Sequence, residues 1–262
     1  IKGKVGIVRP TFEEYPNRLK PEQIVTYQAQ CPNFSYSADD LMTYFADKDI
    51  QSLLLINPDN PTGNYILYAD CLRLADWCQQ RNVLFVLDES FIDFSVEHPT
   101  FFKDDILEQY SNLVVIKSIS KSYGVPSLRL GILATSNVDI MTVIRRSVSI
   151  WNINSFAEFF LQILGKYEAS YQQAMDEFRA ERARFVDEFH KIGFFRVFPS
   201  EANYLLCEVK QPHTPRELAI RLLKDYDILI KDCTFKCNAP YIRIAVRDTV
   251  DNNRLIDAFS QL

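Results

Sequence analysis

Lys121 lies in Ser118-Ile119-Ser120-Lys121-Ser122-Tyr123-Gly124, a polar turn between two apolar runs at residues 113–116 and 128–134, and Arg129 follows eight positions later. Hydroxyls and a guanidinium around one amine suit a phosphorylated aldehyde. Ser118, Ser120 and Arg129 would grip the phosphate, and the amine of Lys121 could form a Schiff base with the carbonyl. Taken alone, a lysine in a serine-rich turn is a solvated turn residue. Two further polar signatures change its weight. Asn-Pro-Asp-Asn-Pro-Thr-Gly (57–63) ends one apolar run, and Asp88-Glu89-Ser90-Phe91 ends the next. Asp88 could hold a pyridine ring nitrogen in its protonated form, since an opposite charge nearby favours both ionised states. Asn60 could donate to a phenolic oxygen on the same ring.

These residues are 28 and 33 positions apart, so the elements carrying them must bring them together. The pattern predicts strands at 5–8, 24–27, 52–56, 82–87, 113–117 and 130–134, with helices at 37–45 and 67–80. Near-continuous apolar strands alternating with helices argue for a mainly parallel sheet covered on both faces. Ligands bind beyond the carboxyl ends of such strands. Asn60, Asp88 and Lys121 all follow such ends. From about residue 137 helical sequence dominates to His190, and Phe156, Phe159, Phe160 and Ile163 form a stripe expected in the core or a subunit interface. Short strands at 194–198, 204–208, 228–231 and 241–246 then alternate with helices at 215–224 and 250–261. We expect a three-layer αβα domain over residues 1–168 and a smaller α+β domain over 169–262.

The 262 residues are 47% apolar and 24% charged, with a net charge of −5, which excludes neither a large core nor an enzyme. No basic block suggests nucleic acid. No apolar run approaches the ~20 residues of a membrane span. With seven glycines there is no dinucleotide fingerprint or phosphate loop. Six cysteines, at 31, 71, 78, 207, 233 and 237, have no histidine placed to complete a zinc set and read as reduced thiols of a cytoplasmic protein. His98, His190 and His213 read as surface residues.

The chain resembles fold-type-I pyridoxal-phosphate enzymes of aminotransferase class I/II over nearly its whole length. The motifs are residues 57–63, Leu-Asp-Glu-Ser-Phe-Ile-Asp-Phe (87–94), Ser-Ile-Ser-Lys…Leu-Arg-Leu-Gly (118–131) and Tyr-Ile-Arg-Ile-Ala-Val-Arg (241–247). The resemblance implies pyridoxal 5'-phosphate, Lys121 as its Schiff-base lysine and proton shuttle, Asp88 on the ring nitrogen, Asn60 on the ring oxygen, and Ser118, Ser120 and Arg129 on the phosphate. It makes Phe12 the aromatic stacked on the ring and Arg243 the fork for the substrate α-carboxylate. It implies a homodimer that moves an amino group between a small, anionic amino compound and a 2-oxo acid.

Trp151-Asn152-Ile153-Asn154, Ile230-Lys231-Asp232-Cys233 and Asp251-Asn252-Asn253-Arg254-Leu255 are similar to the histidinol-phosphate aminotransferase branch, which includes threonine-phosphate decarboxylases. Three departures stand out. Phe91 replaces a tyrosine that bonds the ring oxygen, a hydrogen bond of ~0.5–1.5 kcal/mol, and leans towards the decarboxylases. Lys231 replaces an arginine for the substrate phosphate, giving a point charge in place of a fork. The chain also begins after the family's opening arm and the helix N-terminus that shares the cofactor phosphate. The resemblance thus leads us to expect a shortened form of a longer enzyme, with a threonine-phosphate-type amino-acid decarboxylase and a non-catalytic module of the same fold as the two rival readings.

Overall fold

A computed structural model describes residues 3–30 and 34–262, so Cys31 lies outside the described residues. In chain order the elements are β1 (Val5–Arg9), β2 (Ile24–Gln28), α1 (Ala38–Phe45), β3 (Ser52–Ile56), α2 (Tyr68–Gln80), β4 (Leu84–Asp88), α3 (Asp104–Gln109), β5 (Leu113–Ser118) and β6 (Gly131–Ala134). The long helices α4 (Val138–Ser147), α5 (Ser155–Leu164) and α6 (Glu168–His190) follow. The last part contains β7 (Phe195–Val197), β8 (Tyr204–Val209), α7 (Pro215–Tyr226), β9 (Lys231–Asp232), α8 (Thr234–Cys237), β10 (Tyr241–Ala245) and α9 (Thr249–Ser260).

The first sheet has the order β2-β1-β3-β4-β5-β6. Its first five strands are mutually parallel, and β6 returns antiparallel to β5. Successive side chains of a strand face opposite sides, and here both sides are buried. Leu53, Leu55, Phe85, Leu87, Leu113 and Val115 face a core shared with Leu41 and Phe45 of α1 and Leu74 and Cys78 of α2. Leu54, Val86 and Val114 face the other way, with Val5 and Ile7, under Tyr15, Leu19 and Ile140. Local chemistry starts the helices as the sequence suggests. Ser37 and Asp40 form a capping box at α1, and Asn137, Asn154, Thr214 and Asp248 each accept an amide hydrogen at α4, α5, α7 and α9.

The second sheet is antiparallel, in the order β7-β8-β10-β9. One face packs Leu205, Cys207, Ile242 and Ile244 on Phe185 and Phe189 of α6, Leu218 and Leu222 of α7, and Leu255 and Phe259 of α9. The opposite side, with Leu206 and Tyr241, joins the core of the first sheet. Helix α6 serves both units: Met175 packs with Phe91, Phe94 and Tyr204, while Phe185 and Phe189 lie in the second cluster.

Several expectations are corrected. Asn82 adopts a left-handed backbone, φ 55°, so β4 starts two residues later than expected. Residues 228–230 do not pair, and only Lys231–Asp232 joins β10. The stripe on α5 is mostly not core. Phe156 is 80% exposed and Phe159 61%, and only Phe160 packs inward, against Tyr123.

Arg182 of α6 is buried, with its side chain 6% exposed. Its Nη1 donates to the carbonyls of Phe94 (2.9 Å) and Ala202 (3.0 Å), and its Nη2 to Glu201 Oε2 (2.8 Å). The guanidinium thus ties the turn after β4 to the loop before β8. Arg182→Met keeps most of the packed stem, takes the side-chain donor from two buried carbonyls and leaves Glu201 Oε2 only its bond from Val96 N–H (2.8 Å). It should lower unfolding stability by about 2–4 kcal/mol, read from urea denaturation.

Candidate active site

The ladder register puts the polar signatures side by side. Ile56 pairs with Asp88, and Asp88 with Ile116, so the carboxyl ends of β3, β4 and β5 form one edge. Asn57 N–H donates to the Asp88 carbonyl (2.9 Å), and Glu89 N–H to the Ile116 carbonyl (2.7 Å). The 57–66 turn is held by Asn57, whose side chain donates to the Ile66 carbonyl and accepts from its N–H, both at 2.8 Å. Gly63 has φ +76°, and a Cβ there would meet the Ser200 backbone at 2.9 Å, so the turn requires glycine.

The Lys121 turn is fixed from beneath by Asp93. One carboxylate oxygen pairs with Lys117 Nζ and the other accepts from Ser122 Oγ, both at 2.6 Å. Lys121 is exposed; its carbonyl accepts from Gly124 N–H (3.2 Å), while its amine makes no hydrogen bond or ion pair among the described residues. Its amine opens on a cleft of about 1270 Å³ whose lining includes Phe12, Asn60, Phe91, Tyr204, Lys231 and Arg243. Five sequence-identified residues therefore share one space: Lys121, Phe12, Asn60, Lys231 and Arg243.

Asp88 is buried, 6% exposed, and is not part of this lining, although Phe91 three residues on is. Tyr15 Oη donates to its Oδ2 (2.6 Å), while Ser90 N–H (2.9 Å) and Ser90 Oγ (2.5 Å) donate to its Oδ1. Ser118, Ser120 and Arg129 are not in the cleft lining. Ser120 is buried and its Oγ has no partner, while Arg129 is exposed and its Nη1 donates to the Pro126 carbonyl (3.1 Å).

Arg243 on β10 reaches across from the second sheet. Its Nη1 donates to Asn60 Oδ1 (2.8 Å), and its guanidinium lies over the Tyr204 ring, 5.0 Å from the centroid. Tyr204 Oη in turn donates to the Asp59 carbonyl (2.6 Å), and its ring meets Phe91 edge-on at 5.3 Å. A guanidinium only donates, so the Asn60 oxygen faces Arg243 and its Nδ2 hydrogens remain free as donors.

Sequence reasoning missed three participants. Tyr15 follows Phe12 by three positions, but nothing in the pattern announces its bond to Asp88. Lys236 lines the cleft, and burial followed by the nearby Arg243 charge lowers its pKa. Asp59 is fully enclosed, accepting from Asn60 N–H (2.8 Å) and Thr62 Oγ1 (2.9 Å). Burial pushes its pKa up to about 7 against those two donors.

The model of the family "Aminotransferase class I and II" matches residues 2–259, and the chain belongs to that family. It is 31% identical, over 96% of its length, to the threonine-phosphate decarboxylase of Salmonella typhimurium, and spans 69% of that protein. It is 30% identical to the CMP-5'-(3-aminopropyl)phosphonate synthase of Streptomyces rubellomurinus but spans only 42% of it. The histidinol-phosphate aminotransferase of Clostridium acetobutylicum superposes with a TM-score of 0.88 at 28% identity, covering 99% of this chain and 77% of that one. The fold is that of aspartate-aminotransferase-like enzymes, and members of the family use pyridoxal 5'-phosphate. The residues present fit that cofactor. A buried hydroxyl without a partner sits at Ser120, Asp88 keeps acceptor capacity, the Asn60 donors are free, and the Lys121 amine is unpaired. Among the described residues, no helix is long and apolar enough to cross a membrane.

The raised pKa of Asp59 has a definite sign. The native state holds the proton more tightly than the unfolded chain, so this residue lowers stability as pH rises from about 4 through 7. Asp59→Asn removes that loss. Its stability relative to the parent should be near zero at pH 4 and should grow to more than about 1 kcal/mol at pH 8, read from urea midpoints at the two pH values.

Proposed function

We propose that this chain carries the catalytic site of a cytoplasmic, homodimeric aminotransferase that moves an amino group between a 2-oxo acid and a small amino compound bearing a second anion. The observation that carries this reading is the convergence of Lys121, Asn60 and Arg243 on one cleft, with Asp88 buried at the same sheet edge. Pyridoxal phosphate, when bound, supplies the electron sink that stabilises charge at the substrate Cα. The protein's part is division of labour. Asp88 would hold the proton on the ring nitrogen, Asn60 Nδ2 would donate to the ring oxygen, and Phe12 would cover a ring face. Ser118, Ser120 and Arg129 take the phosphate, Arg129 by turning away from the Pro126 carbonyl. Lys121 accepts the Cα proton and returns it.

Arg243 has donors beyond the one spent on Asn60 and can fork the substrate carboxylate. A carboxylate held in that way is stabilised against leaving, which favours retention of the carboxylate and hence amino transfer. Lys231 and Lys236 line the same cleft, and their amines make no hydrogen bond or ion pair among the described residues. They suit a phosphate- or phosphonate-like distal group. The exposed Ile150, Trp151, Phe156 and Phe159 support burial of this region against a second copy.

Decarboxylation is the second reading. It is favoured by Phe91, which places an apolar ring in the cleft lining where the aminotransferase pattern has a hydroxyl, and by the 31% identity to the threonine-phosphate decarboxylase. Incubating the full chain with pyridoxal phosphate, reducing with borohydride and mapping peptides should label Lys121. Label elsewhere overturns the cofactor site. With O-phosphorylated amino acids as donors, 2-oxo acid formation that depends on an added acceptor supports amino transfer, whereas carbon dioxide release without an acceptor supports the second reading. Lys236→Met should raise KM for the phosphorylated substrate about tenfold with kcat changed less than about twofold, as expected for loss of one charge contact.

A further inference from the structure

Asp88 meets three protein donors before any ligand arrives. An ionised carboxylate offers about four lone-pair positions, two on each oxygen. The Ser90 N–H and hydroxyl occupy both on Oδ1. Tyr15 occupies one on Oδ2. The remaining acceptor position is therefore on the oxygen that Tyr15 grips. Two features show that Tyr15 is built to stay there. Its ring packs on the sheet with Val5, Ile7, Leu54, Val86 and Val114, and it meets Phe12 edge-on, with centroids 6.1 Å apart and planes at 82°. Burial, followed by the Asp88 charge, raises the pKa of its phenol, so the hydroxyl remains a donor. On the other side, Ser90 Oγ accepts from Ser118 N–H (2.9 Å), which links the carboxylate to the strand end that precedes Lys121.

We propose that Tyr15 is the positioning residue for Asp88: its hydroxyl fixes the carboxylate plane and leaves one lone pair of Oδ2 for the cofactor's ring nitrogen. This rests on the cofactor reading above and adds a residue to it. Tyr15 then contributes to affinity only when the ring carries a nitrogen for Asp88 to hold. Without the hydroxyl, Asp88 is anchored on one oxygen alone and can turn about its Cβ–Cγ bond. Charge-assisted hydrogen bonds depend steeply on such alignment.

The test compares two ligands on the full chain: pyridoxal phosphate and its carbocyclic analogue, in which C–H replaces the ring nitrogen. Tyr15→Phe keeps the packed ring and removes only the hydroxyl. Pyridoxal phosphate should bind about tenfold more weakly to the variant, as expected for one hydrogen bond to a charged group, while affinity for the carbocyclic analogue should change less than about twofold. Equal losses for both ligands, or no loss for either, would overturn the proposal, because a purely structural hydroxyl moves both together. A double-mutant cycle provides the second measurement. On an Asp88→Asn background, Tyr15→Phe should cause no further loss of pyridoxal phosphate affinity, and an additive loss would also overturn it. If the parent chain binds pyridoxal phosphate no better than the analogue, the Asp88 assignment falls and this proposal falls with it. A negative result confined to Tyr15→Phe leaves that assignment standing.

Discussion

A buried carboxylate at the end of a central parallel strand is the constraint around which the rest is arranged. Hydrophobic runs fill both faces of β3, β4 and β5, and their register delivers Asp88 to the last rung between Ile56 and Ile116. Removing an unpaired carboxylate from water is expensive unless donors surround it. Ser90, two residues on, and Tyr15, in the segment that follows β1, supply them. Those same bonds then restrict what else may sit beside the carboxylate. The site is thus shaped first by the need to satisfy a buried charge, and the proposed chemistry uses the one acceptor position left over.

The same economy governs the lysine turn. Lys121 must be free to react, so it is held through its neighbours. Asp93 grips Lys117 before it and Ser122 after it, while Arg179 Nη1 donates to the Asp93 carbonyl (2.8 Å). The amine needs no contact of its own. Asp93 and Asp88 lie five residues apart in one motif but do different jobs, one positioning a backbone turn and the other facing the ring site. Glu89 between them accepts from Thr100 Oγ1 (2.5 Å) and Phe101 N–H (2.8 Å), and burial raises its pKa to about 7. It braces the following loop from a position sequence alone would rank equal to Asp88.

That difference shows what a sequence can carry. The parallel sheet was legible because strand burial on both faces leaves an unbroken apolar signature, as in Leu53–Leu55 or Phe85–Leu87. The start of α1 was legible because Ser37 caps with its own side chain, whereas the break between α4 and α5, where Asn154 caps, lay hidden in one long helical pattern. The placement of Lys121, Asp88 and Asn60 beyond neighbouring strand ends was legible from turn chemistry. Arg243 needed the family motif, because a charge on an antiparallel strand looks like any exposed one. Tyr15 was invisible, since its role depends on a partner 73 residues away that no local period encodes, and Lys236 because nothing local shows which cleft it lines. For Phe156 and Phe159 the sequence left core and subunit interface open, because helical spacing records that a face is apolar, not what covers it; both are exposed on this chain.

The Asn60–Arg243 bond joins the two halves of the proposed reaction site. Because Arg243 can only donate, it dictates which end of the Asn60 amide faces the second sheet and which remains for the cofactor oxygen. A substrate carboxylate approaching Arg243 would compete with Asn60 Oδ1 for the same guanidinium and be ranked against it by charge. The carboxylate is the stronger acceptor, so binding would draw Arg243 off the amide or share it, and would change the field at the ring oxygen. Phe91 matters here because no hydroxyl from that position backs up the amide. On the proposed assignment, tuning of the ring oxygen would fall to Asn60, and through Asn60 to whatever Arg243 holds. Such coupling would make the occupancy of the carboxylate site part of the cofactor's electronic environment, a link that a tyrosine at position 91 would weaken by supplying a second, independent donor.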